Sequence, residues 1–128
     1  MNRVRQLLLA LVLSTAAPAP AAPAAAAPGH LLIGQVGQHN EFRISLTFPN
    51  GQPVRSLPSG TYTFVIHDYS SLHNFALGSV THNHRIFTGS VPGIGTMTYR
   101  MQLTPGTYAY ACSAHPTIMN GTFEVTAG

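Results

Sequence analysis

Hydrophobic positions along this chain alternate in short runs rather than recurring with a helical period. Residues 31–36 and 42–47 are β-prone runs, the second closed by the turn Pro49-Asn50-Gly51. Gly60 opens residues 61–67, in which Tyr62, Phe64 and Ile66 fall on one face. Residues 74–77 read as a short strand ended by Gly78, and Gly89, Pro92, Gly93 and Gly95 mark a loop. Residues 96–103 extend again, Pro105-Gly106 turns the chain, and strands at 107–112 and 122–126 follow. No helix-period segment exceeds two turns, and no internal repeat is present. About seven or eight strands with turns every ~8–12 residues predict an all-β fold, a Greek-key antiparallel β-sandwich.

The N-terminus breaks this pattern. Arg3 and Arg5 precede the apolar run LLLALVL, and small residues and prolines follow as far as Gly29. These are the three regions of a secretory signal. The apolar core is much shorter than the ~20 residues that span a bilayer, and Pro18, Pro20 and Pro23 interrupt its extension. Cleavage after Ala21 or Ala26 would each close an Ala-x-Ala pattern; the division adopted is a signal peptide at 1–26, a linker remnant at 27–30 and one domain at 31–128. A periplasmic or secreted protein, with no membrane span after processing, is expected.

Charge then narrows the function. Only 7% of residues are charged and Lys is absent, too few for a coiled coil or charged bundle. Beyond the leader, Arg43, Arg55, Arg85 and Arg100 face Glu41, Asp68 and Glu124, a net of +1. A near-neutral body without a basic cluster is no nucleic-acid binder, because phosphate neutralisation supplies most of that affinity. Six Phe, five Tyr and a 45% hydrophobic content argue against disorder.

The chain has one cysteine, so an internal disulfide is excluded. A lone thiol in an oxidising compartment must be buried, paired with another chain, or bound to something. Strand parity puts Cys112 on the face of Tyr108 and Tyr110, opposite Ala109 and Ala111, hence on the core side at a strand end. Directly after it, Cys112-Ser113-Ala114-His115 runs on to Met119, placing a thiolate, an imidazole and a thioether within eight residues. A second imidazole is available at His73, at the start of another strand. Two His and one Cys with a weak axial Met match the preference of a copper electron-transfer site, whereas zinc has no need of Met.

On His73-Asn74-Phe75, on Tyr108-Ala109-Tyr110-Ala111-Cys112-Ser113-Ala114-His115, and on Met119 with Gly121-Thr122-Phe123-Glu124-Val125, the chain resembles the small blue (type 1) copper proteins. These are the cupredoxins of the plastocyanin, amicyanin and pseudoazurin kind, and the resemblance covers roughly residues 31–128. It implies a cupredoxin-like sandwich holding one copper ion. His73, Cys112 and His115 would be the equatorial ligands and Met119 the axial one. Asn74 would tie the ligand loops together and offer its backbone N–H to the Cys sulfur. The implied function is one-electron transfer between Cu(II) and Cu(I), with no enzyme activity. Three residues separate His115 from Met119, one fewer than in plastocyanin and one more than in amicyanin. Ala111 stands where plastocyanin has an exposed Tyr, so redox partners are expected at an apolar surface near His115, with Pro116 and Ile118.

Other functions make distinguishable demands. A periplasmic copper buffer or delivery protein would use the same four ligands. A hydrolase with Cys112 as nucleophile lacks a third orienting residue and leaves Met119 without a role. A metal-free adhesive sandwich leaves the Cys/His/Met clustering to chance. His82 and His84 form a His-x-His, a candidate second metal site but better read as part of a solvated loop. Asn120-Gly121-Thr122, formally a glycosylation sequon, is expected to be a turn.

Overall fold

The computed structural model describes residues 30–128. The expected signal peptide at 1–26, and residues 27–29 of the linker, lie outside the described residues.

Among the described residues, nine strands form two sheets packed face to face. They are β1 (Leu31–Val36), β2 (Ile44–Thr47), β3 (Ser56–Pro58), β4 (Gly60–Asp68), β5 (Ala76–Ser79), β6 (His84–Thr88), β7 (Gly95–Leu103), β8 (Gly106–Ala111) and β9 (Asn120–Thr126). One sheet has the order β2-β1-β4-β7, the other β3-β9-β8-β5-β6. The expected β-sandwich is present. Its sheets are mixed rather than wholly antiparallel, because β1 runs parallel to β4 and β3 parallel to β9.

Alternation explains the core. Tyr62, Phe64 and Ile66 on β4 are buried together with Leu32 and Val36 on β1. Phe75, Leu77, Phe87, Tyr108, Phe123 and Val125 face them from the other sheet and its approaches. The Phe75 ring lies 5.4 Å from Tyr110 and 6.2 Å from Phe87, and Phe87 stacks on Tyr99 at 4.1 Å. Such offset aromatic contacts contribute about 0.5–1.5 kcal/mol each beyond area burial. The Tyr108 hydroxyl donates to the Thr104 carbonyl at 2.8 Å and accepts the Thr104 N–H at 3.1 Å, fixing the turn into β8.

Several boundaries depart from the sequence pattern for local reasons. β2 begins at Ile44, not at residue 42. Gly37, His39 and Asn40 take left-handed backbone angles and lead the chain through a tight 3-10 turn that throws Phe42 clear of the sheet. β5 begins at Ala76, because the Asn74 backbone N–H is engaged with a sulfur rather than a ladder. β3 carries Pro58, tolerated because this is an edge strand. β6 opens on exposed His84 and Arg85, which conceal its strand character. Asn120 and Gly121 belong to β9 and pair with Ala111 and Tyr110, so the expected turn there is a strand.

Candidate metal centre

β8 ends at Ala111, and the chain then curls through two successive turns before β9. The Cys112 N–H donates to the Met119 carbonyl at 3.0 Å, and the His115 N–H to the Cys112 carbonyl at 3.1 Å. The His115 carbonyl accepts from Ile118 and Met119 at 3.3 and 3.0 Å. Pro116 has no N–H to satisfy inside this coil, and the Asn120 side chain closes it onto the Pro116 carbonyl at 2.8 Å. This hydrogen bonding turns Cys112, His115 and Met119 back toward the body of the domain; Cys112 and Met119 are buried and His115 is half-buried.

The mid-chain histidine arrives from the loop between β4 and β5. The sulfur of Cys112 lies 3.8 Å from His73 Nδ1 and 3.7 Å from His115 Nδ1, and the two nitrogens are 3.1 Å apart. These three residues are the one group of three or more His, Cys, Asp or Glu side chains among the described residues whose donor atoms converge this closely. The spacing can be compared with what an ion requires. Bonds of about 2.0 Å to nitrogen and about 2.3 Å to thiolate, in a trigonal plane, would separate sulfur from each nitrogen by about 3.7 Å. The nitrogen–nitrogen separation corresponds to an angle of about 100° at the ion on the same bond lengths. One N–H between the two rings accounts for the short nitrogen contact but not for a sulfur equidistant from both. The residues fit a single ion, and with Met119 buried beside them the arrangement is that of a type 1 copper site.

Asn74 joins the two loops, 39 residues apart in sequence. Its backbone N–H points at the Cys112 sulfur at 3.5 Å. Its side-chain amide donates to the Gly89 carbonyl at 2.8 Å and the Ser113 hydroxyl at 2.7 Å, while its oxygen accepts the Ser113 N–H at 2.7 Å. These bonds restrain the Cys and His loops in one register.

Two contributors escape sequence reasoning. The Phe42 ring stands edge-on to both imidazoles, 5.0 Å from His73 and 4.9 Å from His115, and is itself 56% exposed. In sequence it looks like the first residue of a strand. Asp68, the last residue of β4, is almost wholly buried on the approach to His73. Burial pushes its carboxyl up from the usual range, while the Ser70 N–H and the charge of His73 pull it partly back. Nothing in the sequence separates it from a solvated strand-end acid. His82 lies in the β5–β6 turn and His84 opens β6, both exposed, with ring centroids 6.3 Å apart. Because Ala76, nearest His73, pairs with Ala111 while Ser79 pairs with Tyr108, that turn lies at the opposite pole from the site.

No protein-family profile matches the sequence, and no curated protein matches it significantly. Solved structures do. The copper protein rusticyanin is 16% identical with a TM-score of 0.58, covering 75% of this chain and 76% of its own. Reduced rusticyanin gives 15% and 0.55, over 75% and 78% of the two chains. Auracyanin A, a blue copper protein of the green thermophilic photosynthetic bacterium Chloroflexus aurantiacus, is 17% identical with a TM-score of 0.50, over 75% of this chain and 98% of its own. The chain therefore has the fold of the blue copper proteins. Among the described residues no helix is long and apolar enough to cross a membrane.

Proposed function

We propose that the mature chain is an exported one-electron carrier binding one copper ion through His73 Nδ1, Cys112 Sγ and His115 Nδ1, with Met119 as the weak axial donor. The observation that carries this reading is the near-equal spacing of one sulfur from two ring nitrogens, beside a buried thioether. Copper, when bound, supplies the Cu(II)/Cu(I) couple. The chain's own residues hold the donors still and keep water away. Three of the four side chains are at most 1% exposed, and Asn74 clamps their loops. A donor set that cannot relax changes little between oxidation states, which favours electron exchange over copper release.

His115 is the half-buried donor and so the natural exit for an electron. Phe42 packs on it, and Leu72 and Ile118, next in sequence to His73 and Met119, are 57% and 63% exposed. An apolar surface of this kind suits brief, weak encounters with redox partner proteins.

The test is addition of Cu(II) to the purified protein. An intense visible thiolate-to-copper band that vanishes in Cys112→Ser is expected, and its absence from folded, reduced wild-type protein refutes the assignment. Fast electron self-exchange with slow loss of copper to a chelator separates a carrier from a buffer.

A further inference from the structure

The site fixes where the proton of His73 resides. A neutral imidazole that coordinates through Nδ1 carries its hydrogen on Nε2. His73 is fully buried, and its Nε2 has no hydrogen-bond partner. The other buried side-chain polar atom without a partner, among the described residues, is Asp68 Oδ2. A donor lacking an acceptor and an acceptor lacking a donor thus occur together, although buried polar groups are rarely left unpaired.

They also share a neighbourhood. Asp68 pairs with Val36 across the parallel β1–β4 ladder, and the next residue, Gly37, turns left-handed with φ 70°. A Cβ on Gly37 would come within 3.0 Å of His73 Cδ2, the ring carbon bonded to Nε2, and closer still to Ser70 Cβ. The Ser70 N–H in turn donates to Asp68 Oδ1 at 3.0 Å. The bend at Gly37, the Asp68–Ser70 turn and the Cδ2–Nε2 edge of His73 therefore meet in one buried neighbourhood.

We propose that Asp68 is a positioning residue for the metal centre: its free carboxylate oxygen accepts the Nε2–H of His73 through one bridging water and sets the rotation of that ring. The inference rests on the copper reading. A histidine held between a metal and a carboxylate is fixed in both tautomer and orientation, and loss of such a partner typically costs 10–100-fold in metal affinity. Gly37 belongs to the same device, because a side chain there would collide with Ser70 and the His73 ring and push them apart.

Pulsed electron paramagnetic resonance of the Cu(II) protein reads the contact directly, because the remote nitrogen of each bound imidazole reports its own hydrogen bond. In Asp68→Ala the His73 remote-nitrogen couplings are expected to shift while those of His115 stay. The Cu(II) dissociation constant, measured by chelator competition, should rise about 10–100-fold. Asp68→Asn keeps an acceptor for the Ser70 N–H, and so the turn; it should give a smaller shift of the same signal. In the wild-type Cu(I) protein, the His73 Nε2 proton should exchange slowly with solvent in NMR spectra, an outcome independent of any variant. A blue copper centre with unchanged His73 couplings in folded variants, or with a rapidly exchanging wild-type proton, overturns this role for Asp68 alone. A wild-type protein without the thiolate band overturns the copper reading and this inference together.

Discussion

Replacing Asn74 by Ala isolates the clamp between the two loops. The amide makes three bonds of 2.7–2.8 Å, to the Gly89 carbonyl, the Ser113 hydroxyl and the Ser113 N–H, and the residue is 1% exposed. A net hydrogen bond is worth about 1 kcal/mol, and each buried partner left unsatisfied costs about 1–3 kcal/mol. Gly89 is buried, although Thr88 and Ser90 beside it are exposed, and its carbonyl also loses its partner, whereas Ser113 is exposed enough to be resolvated in part. A loss of about 2–4 kcal/mol follows, or roughly 10–25 °C in melting temperature for a domain of this size. Thermal unfolding of the metal-free protein by circular dichroism measures it, with Ser113→Ala as the control that removes only the hydroxyl and should cost about 1 kcal/mol. The backbone N–H that meets the Cys112 sulfur survives the substitution. The variant should therefore still give the thiolate band, while releasing copper faster. A melting temperature within about 3 °C of wild type would mean that the amide bonds contribute nothing net.

Three further outcomes are expected. Gly121→Ala sets a Cβ against the Tyr110 ring that lies across this residue, and should cost about 1–3 kcal/mol by overpacking, read from the urea midpoint; an unchanged midpoint would show that the ring moves aside freely. Phe42→Ala removes a half-exposed ring, so stability should change by less than about 1 kcal/mol, yet copper loss to a chelator should accelerate because both imidazole edges are uncovered. Equal release rates in the two proteins would deny Phe42 that covering role. Added Cu(II) at about 100 times its dissociation constant should stabilise the wild-type protein by about 2.7 kcal/mol and leave Cys112→Ala nearly unmoved; similar stabilisation of both would place the metal elsewhere, with His82 and His84 the first residues to examine.

How much of this was legible depended on the range of each interaction. Side-chain alternation is a property of one strand, so the buried face of β4, Tyr108 on β8, and Cys112 at a strand end could be read directly. The coil after Cys112 is likewise local, and its donors lie within eight residues. Strand partners are not local: the parallel pairings of β1 with β4 and β3 with β9 leave no mark on sequences that would suit either direction. β3 and β6 were missed because one is three residues long and holds a proline, while the other begins with a histidine and an arginine. Phe42 reaches the site only because Gly37, His39 and Asn40 redirect the chain; Gly, His and Asn are types that tolerate left-handed angles, but they do not require them. Asp68 acquires its character from burial alone.

Burial also separates the two ways such a site could be used. A protein that hands over its metal needs donors a partner can reach and replace one at a time. Here His73, Cys112 and Met119 are at most 1% exposed, and the half-buried His115 lies under Phe42. Stepwise ligand exchange would have to open the Cys112–Met119 coil, breaking its backbone bonds to Met119 and His115 together with the Asn74 clamp to Ser113. An electron needs none of that movement, only a short path through the His115 ring to an apolar contact. On the proposed reading, the same hydrogen bonds that would slow release of an ion would leave the centre ready to pass an electron, so chelator release and self-exchange rates should move in opposite directions across the Asn74 and Ser113 variants.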